Sequence, residues 1–337
     1  MNDNYIIQSV RLDNFRCHKK YILNCKNETT LILGENGCGK TSVLEAIYVA
    51  LRGKSFRAPD REILKREEDY YRIELVRDDG EKIIVVFDGG KKTFLIKDKK
   101  TTRLPRKEKY PVILFLPEDL HLIASSPTSK REYFDRILAQ INERYGNSLS
   151  KYNKALKQRN ELLKQDSVTE EELFSWNILL SKYGVEIRAM RRWLVNEING
   201  ELTETYRSIA DNEDIVRLEY KSYTANSSES EYMRLLGLDF ERDKMTGHTN
   251  FGIHKDNYDF IFNNSPAETS ASRGETRSLI LALKFIEARE LKKILGKKPV
   301  VLLDDVFSEL DSNRQKCLVK NFKENQVILT SVDGVSI

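Results

Sequence analysis

The chain has 337 residues, 40% of them hydrophobic and 32% charged, enough for one large or two ordinary domains around a substantial core. It lacks any run of about 18 apolar residues and any basic amino-terminal segment followed by an apolar core, so we expect no membrane span and no secretory signal. The four cysteines have neither CxxC spacing nor nearby histidines, which favours free thiols in a reducing cytoplasm over zinc or disulfides. A net charge of +4 is too small to identify a partner.

The amino-terminal part of the chain is predicted to be rich in strands. Apolar runs with strand character alternate with turn signals, and a helix is predicted over residues 40–51. The predicted strands cover residues 5–12, 21–23, 30–33, 72–76, 82–88, 93–97 and 111–116.

The character of the sequence changes after residue 129. As far as residue 210, Gly is rare, Pro is absent and apolar residues recur every three or four positions. This spacing predicts two long antiparallel helices that turn near residues 165–171. It favours a self-packing helical lobe over a coiled coil, because heptads are not strictly kept. Residues 222–231 are predicted to form an exposed loop.

The last part of the chain again indicates an α/β structure. A helix is predicted over residues 274–293, then a strand in PVVLLDD, a helix after Asp311 and a strand over residues 326–330. We therefore predict one α/β domain made of residues 1–117 and 241–337, with a mainly helical lobe, residues 118–240, inserted between its two halves.

GENGCGKT, residues 34–41, follows a predicted strand and precedes a predicted helix, which is the context of a phosphate-binding loop. Its glycines allow backbone N–H groups to surround phosphates at the positive end of the helix. Lys40 would reach the β- and γ-phosphates, and the Thr41 hydroxyl would bind Mg²⁺. The predicted ATP-binding residues of this loop are Gly34, Glu35, Asn36, Gly37, Cys38, Gly39, Lys40, Thr41 and Ser42.

A nucleotide site of this class needs an acid on a neighbouring strand. VVLLDD provides four apolar residues and then Asp304 and Asp305. Successive strand side chains point to opposite faces, so we expect Asp304 to hold the metal and Asp305 to orient or deprotonate the attacking water. Lys40 completes the predicted catalytic set. Glu118 is a further candidate for the metal and water, or it simply starts a helix after Pro117.

The stretch ASRGETRSLILALKFIEA, residues 271–288, offers a second helix amino terminus suited to an anion. The same chain already has a phosphate loop. We therefore expect this second anion-binding helix end to face the nucleotide bound by another copy of the chain. Each ATP would then be bound by Lys40 and Thr41 of one chain and by Ser272, Gly274 and Glu275 of the other. A homodimer that closes on ATP is therefore expected.

SRGE, VVLLDD and SELD in this order resemble the signature, acidic strand and following loop of an ABC-type ATPase head of the SMC-like branch. More narrowly, the chain resembles the RecF family, and the resemblance extends over nearly its whole length. The matching segments are LDNFR at 12–16, GENGCGKTSVLEAIY at 34–48, GKSFR at 53–57, LFLPEDLHLIASSPTSKREYFD at 114–135, GIHKDNYDF at 252–260, SRGETRSLILALK at 272–284 and LLDDVFSELD at 302–311.

The resemblance implies an ATP- and Mg²⁺-dependent homodimer that binds duplex DNA near single-strand gaps, hydrolyses ATP slowly and works with RecO and RecR in recombinase loading. Three positions depart from the family pattern or from related ATPases. Glu275 replaces the common Gln, and Lys255 replaces Arg. The last core strand ends LTS where transporter ATPases have a histidine, so Thr330, Ser331 or His254 would have to sense the γ-phosphate.

Residues 91–109 carry nine Lys or Arg against two acids, and GKSFRAPDR adds further cations. Such clusters neutralise DNA phosphates without reading sequence, but they are also typical of a solvated hairpin. The resemblance favours DNA. The residues predicted to contact it are Lys54, Arg57, Lys91, Lys92, Lys99 and Lys100.

Three alternatives remain at this point. A chromosome-structuring SMC head needs much longer helical arms than this sequence provides. The energy subunit of a transporter needs a membrane partner that nothing in the sequence identifies. A defence ATPase with a nuclease domain needs an acidic cluster for a second metal site, and none follows Asp311.

Overall fold

The computed structural model describes residues 6–165, 167–222 and 228–332. They form two compact units, Met1–Leu120 with Glu287–Ile337, and His121–Ile286. Part of the exposed loop predicted for residues 222–231, and one residue of the turn predicted for residues 165–171, lie outside the described residues. Among the described helices, none is both long enough and apolar enough to cross a membrane.

Strands and helices are numbered in chain order. The strands are β1 Ile7–Phe15, β2 His18–Asn24, β3 Thr29–Leu33, β4 Tyr70–Arg77, β5 Lys82–Asp88, β6 Lys91–Ile96, β7 Lys99–Thr101, β8 Val112–Phe115, β9 Val216–Lys221, β10 Asn257–Phe262, β11 Ser265–Pro266, β12 Val300–Leu303 and β13 Val327–Ser331. The helices are α1 Lys40–Arg52, α2 Asp60–Ile63, α3 Pro127–Ile141, α4 Glu143–Leu163, α5 Glu170–Ala210, α6 Glu229–Leu238, α7 Phe240–Thr246, α8 Ala267–Ser270, α9 Arg273–Leu295 and α10 Ser312–Phe322.

The first unit contains two sheets. One is antiparallel, in the order β2-β1-β4-β5-β6-β7, and the other is parallel, in the order β3-β13-β12-β8. Helix α1 contacts strands of both sheets, and every residue from Ser42 to Leu51 is buried. A helix covered on all sides has no need of a polar face, which explains the run VLEAIYVAL. The phosphate loop therefore leads into the centre of the core.

The second unit is mainly helical and carries the small sheet β11-β10-β9. The first of the two long predicted helices is in fact two helices, α3 and α4. Asn142 separates them, because its backbone is extended (φ −136°) and its side chain accepts hydrogen bonds from the N–H groups of Arg144 and Tyr145. A residue that caps a helix in this way ends one helix and begins the next.

The division into units differs from the expected boundary at residue 240. Residues 241–286 belong to the second unit, since β10 pairs with β9 over the whole length from Asn257–Lys221 to Phe262–Val216. This pairing joins segments that are about forty residues apart in the sequence. Periodicity within one segment cannot reveal it.

His254 lies in a buried chain of hydrogen bonds in the second unit. Its Nε2 is 2.9 Å from the Thr249 carbonyl oxygen, and a carbonyl can only accept, so Nε2 carries the proton. Nδ1 then accepts from the Tyr152 hydroxyl at 2.9 Å, and that hydroxyl is 3.2 Å from the hydroxyl of Tyr232. Burial lowers the pKa of His254 from 6.5 to about 4. The imidazole is therefore neutral at physiological pH.

This neutral histidine makes stability depend on pH. Because its pKa is lower in the folded chain, its contribution to the free energy of unfolding is complete above pH 6.5 and is lost as the pH falls towards 4. We expect the stability advantage of wild type over His254→Gln to shrink by about 3 kcal/mol across that range. Urea unfolding followed by tryptophan fluorescence measures it, because both tryptophans, Trp176 and Trp193, lie in α5. Parallel pH profiles of the two proteins would contradict this expectation.

Candidate nucleotide-binding site

The phosphate loop connects β3 to α1 and needs glycine at two positions. Gly37 and Gly39 have φ values of +83° and +100°, in the left-handed region that residues with a Cβ rarely adopt. A Cβ on Gly39 would also lie 2.3 Å from Cys17 Sγ and 2.5 Å from His18 Nε2. The turn between β1 and β2 thus packs directly on the loop, and His18 Nε2 is 3.1 Å from the Gly39 carbonyl oxygen.

Lys40 is buried and its ammonium group lies within the loop. Nζ donates to the carbonyl oxygens of Gly34 at 2.7 Å and Glu35 at 3.3 Å, and it is 3.7 Å from Asp305 Oδ2. These contacts hold the ammonium against the loop backbone and beside Asp305. The ammonium is therefore placed to contact phosphates that enter the loop.

Thr41 and Asp304 meet although they are far apart in the sequence. The Thr41 hydroxyl lies 2.9 and 2.8 Å from the two oxygens of the Asp304 carboxylate. The sequence predicts that the acidic strand is a neighbour of β3. In the structure β13 lies between β3 and the acidic strand β12. Burial raises the pKa of Asp304, and hydrogen bonds from Thr41 and Thr330 oppose that rise.

Asp305 also reaches the phosphate loop, contrary to the strand alternation expected from the sequence. β12 ends at Leu303, and Asp305 has a left-handed backbone with φ +49°. This turn brings the second carboxylate to Lys40 while the first contacts Thr41. Asp305 Oδ1 is buried without a hydrogen-bond partner.

The oxygen atoms of this cluster fit Mg²⁺. A hydroxyl and carboxylates are the ligands that this hard cation takes, usually together with phosphate oxygens and water. Among the described residues, no group of three or more His, Cys, Asp or Glu side chains could hold an ion. The geometry thus suits a cation that enters with a phosphorylated ligand, held by Thr41 and Asp304. Glu118 is exposed, and none of the described hydrogen bonds or ion pairs joins it to either residue.

A cavity of about 600 Å³ opens beside the loop. Three arginines in its wall, Arg16, Arg57 and Arg66, were not predicted as nucleotide ligands from the sequence. Arg16 makes a bidentate ion pair with the buried Glu45, at 2.9 and 2.8 Å. LDNFR is predicted only as a family motif, and GKSFR as a family motif and a source of cations for DNA, because nothing in either segment indicates that it folds onto the loop. The other lining residues are Cys17, Asn36, Gly37, Gly39, Lys40, Thr41, Ser42, Glu62, Leu64 and Asp305.

The residues predicted to contact DNA fall into different environments. Arg57 lines the nucleotide cavity, and Lys92 is paired with Asp60 at 2.8 Å. Lys54 is exposed after α1. Lys91, Lys99 and Lys100 are exposed on β6 and β7, at the edge of the antiparallel sheet.

Ser272 and Glu275 form a reciprocal cap at the amino end of α9, in the second unit. The Glu275 carboxylate accepts from the Ser272 N–H at 2.6 Å, and the Ser272 hydroxyl accepts from the Glu275 N–H at 3.3 Å. Ser272 is exposed and Gly274 half-buried. This capping box fixes the first turn of the helix.

The three candidates for sensing the γ-phosphate are all buried or largely buried. Thr330 and Ser331 lie within β13, 1% and 3% exposed, and the Thr330 hydroxyl already donates to Asp304. His254 belongs to the tyrosine network of the second unit. The sensing of γ-phosphate by one of these residues stays a prediction.

A phosphate loop, an acidic strand separated from it by one strand, and a helix-capping SRGE segment together define an ABC-type ATPase head. Comparison with known proteins supports this class. A family model described as an AAA ATPase domain matches residues 6–222. A solved SMC head bound to the C-winged helix domain of ScpA has a TM-score of 0.52 at 14% identity over 97% of this chain and 90% of that one, which is a likeness of fold alone. The predicted fold class is confirmed.

Relatives with higher sequence identity identify the family more narrowly. The DNA replication and repair protein RecF of Clostridium perfringens is 32% identical over 96% of this chain and 92% of its own. The RecF of Staphylococcus epidermidis is 31% identical over 98% and 94%. A structure described as the recombination mediator protein RecF-ATP in the RecFOR pathway has a TM-score of 0.87 at 27% identity, over 99% and 94%. The chain belongs to the RecF family.

Proposed function

We propose that the protein is an ATP-dependent DNA-binding clamp of recombinational repair and replication restart. The observation that carries the proposal is the contact between Thr41 and Asp304 beside the buried ammonium of Lys40, in a chain of the RecF family. That arrangement is suited to a nucleoside triphosphate with Mg²⁺. The relative of known structure is described with ATP.

In this proposal each side chain has one task. Lys40 leaves the carbonyl oxygens of Gly34 and Glu35 and pairs with the β- and γ-phosphates, and the loop N–H groups hold the same oxygens. Thr41 and Asp304 would hold Mg²⁺, which when bound would neutralise developing phosphate charge. Asp305 accepts a hydrogen bond from the attacking water and takes its proton, for which its unpartnered Oδ1 is available. Asp304 keeps the Thr41 hydroxyl in place.

The amino end of α9 supplies the other half of each site. Ser272, Gly274 and Glu275 of a second copy would face the γ-phosphate, so the dimer closes when ATP is bound and loosens after slow hydrolysis. The exposed Ser272, at the start of a helix whose first turn is already fixed by a cap, supports this arrangement. A closed dimer would surround or grip duplex DNA without reading its sequence, at gaps and stalled forks.

RecO and RecR are the proposed partners in recombinase loading, since a close structural relative is described in the RecFOR pathway. The transporter alternative has no support in the family relationship. An SMC-type arm is also unsupported, because α5, the longest described helix, has 41 residues and spans only about 60 Å.

DNA affinity tests the proposal. Fluorescence anisotropy with gapped duplex DNA should show tighter binding with ATP and Mg²⁺ than without nucleotide. No effect of ATP on the DNA affinity would contradict the proposed function.

The exposed lysines of β7 give a sharper version of this test. Lys99→Glu with Lys100→Glu reverses two charges and should reduce DNA affinity about 10-fold or more at low salt, with a shallower salt dependence. Lys316→Glu with Lys320→Glu makes the same charge change on exposed positions of α10 and is the matched control. Equal loss in both variants would point to net charge alone and contradict a DNA contact at β7.

A further inference from the structure

Thr330 connects the two carboxylates of the acidic pair. Its hydroxyl donates to Asp304 Oδ1 at 2.9 Å and accepts from the backbone N–H of Asp305 at 2.9 Å. The side chain is 1% exposed and belongs to β13, the strand between β3 and β12. None of the steps proposed above uses it.

These two hydrogen bonds act on an unusual backbone. Asp305 has φ +49°, a left-handed conformation that is uncommon for residues with a Cβ, although aspartate adopts it more readily than most. The hydrogen bond from its N–H to Thr330 constrains the backbone at this position. Without the left-handed turn, two consecutive residues at the end of a strand would point to opposite faces. With it, Asp304 contacts Thr41 and Asp305 contacts Lys40.

We propose that Thr330 is a positioning residue, which makes the two carboxylates converge on the phosphate loop by holding both the Asp304 side chain and the Asp305 backbone. The inference concerns the hydrolysis assigned above and rests on the proposed function for its kinetic consequences. It also assigns Thr330 a role other than the direct sensing of γ-phosphate, because a phosphate oxygen needs a donor and the only proton of the hydroxyl is donated to Asp304.

Thr330→Val tests this, since valine keeps the shape and removes both hydrogen bonds. We expect the maximal rate of ATP hydrolysis to fall about 10- to 100-fold, as is usual when a partner that orients active-site ligands is lost. The affinity for ATP without Mg²⁺ should be unchanged, because Lys40 and the loop are intact. Thr330→Ser retains the hydroxyl and should restore most of the rate. A rate close to wild type in Thr330→Val, or a serine variant as defective as the valine variant, would overturn the assignment.

Thr30→Val is the matched control for stability. Thr30 is a buried threonine of β3 in the same sheet, and its hydroxyl accepts from the Lys26 N–H at 2.8 Å. The Thr30→Val variant should lower the melting temperature about as much as Thr330→Val does, but its rate of ATP hydrolysis should remain close to that of wild type. If Thr30→Val loses as much rate as Thr330→Val, the effect is one of general stability and the positioning role is wrong.

Crystal structures of wild type and Thr330→Val give a readout that is independent of ATP. The proposal requires the Asp305 carboxylate to move out of contact with Lys40 in the variant. An unchanged Asp305 conformation would overturn it. Absence of ATP binding by wild type would instead refute the proposed function, while the comparison of the two structures would still decide the role of Thr330.

Discussion

Lys40→Ala is expected to abolish ATP binding and to leave the fold intact. The ammonium is the only described side-chain cation held inside the phosphate loop, where Gly34 and Glu35 accept its hydrogen bonds. Alanine would remove charge-assisted hydrogen bonds to two phosphates, each of which contributes about 1.5–3 kcal/mol. The affinity for ATP should therefore fall at least about 100-fold. Calorimetric titration with ATP and Mg²⁺ measures the change.

The appropriate control for that variant is Lys316→Ala. Lys316 is an exposed lysine of α10, so its replacement removes one positive charge far from the loop in sequence and leaves the loop contacts in place. Its ATP affinity should match wild type. Near-normal ATP affinity in Lys40→Ala would show that the loop does not hold the triphosphate as we propose.

Ser272→Arg is expected to stop ATP-driven dimerisation while each monomer still binds ATP. Ser272 is exposed at the amino end of α9, and a long side chain there would keep the helix N–H groups away from a phosphate in the second copy. Loss of two hydrogen bonds to phosphate, at about 1.5 kcal/mol each, corresponds to roughly a 100-fold weaker dimer. Sedimentation velocity with ATP and Mg²⁺ measures the dimer, and calorimetry measures the monomer affinity.

Two effects of that substitution must be separated, because Ser272 also caps α9. Ser272→Ala removes the bond from the Glu275 N–H but adds no bulk. It should cost about 1 kcal/mol of stability and weaken the dimer less than arginine does. Equal dimer loss in the two variants would indicate a capping defect. Normal ATP-driven pairing of Ser272→Arg would contradict the shared site.

The local part of the site could be predicted because its signals are contiguous. The helix predicted over residues 40–51 is observed as Lys40–Arg52, and the strand predicted to be buried on both faces is β12, whose four residues are all buried. Glycine spacing specifies the loop, and an apolar run before two acids specifies the strand. Both depend on neighbours in sequence, which periodicity and turn chemistry describe.

The parts of the site that could not be predicted depend on a local backbone turn and on contacts between residues that are far apart in the sequence. The convergence of Asp304 and Asp305 requires the left-handed turn at Asp305 and the hydroxyl of Thr330, 25 residues further on. The ion pair that fixes Arg16 joins it to Glu45, 29 residues away. Alternation along a strand predicted the opposite for the acidic pair, because the rule applies only while the strand continues.

The basic cluster shows a different limit. Composition counts Lys92 and Lys99 alike, yet Lys92 is neutralised by Asp60 and Lys99 is exposed. Only the fold decides which cations of a charged hairpin remain available to a polyanion. For this reason the proposed DNA contact is confined to the exposed lysines of β6 and β7.

Sedimentation of the wild-type protein tests the central idea most directly. With saturating ATP and Mg²⁺, and with gapped duplex DNA added, we predict a species of twice the monomer mass that returns to monomer when ADP replaces ATP. A protein that remains a single chain under all of these conditions would contradict a triphosphate site completed by a second copy.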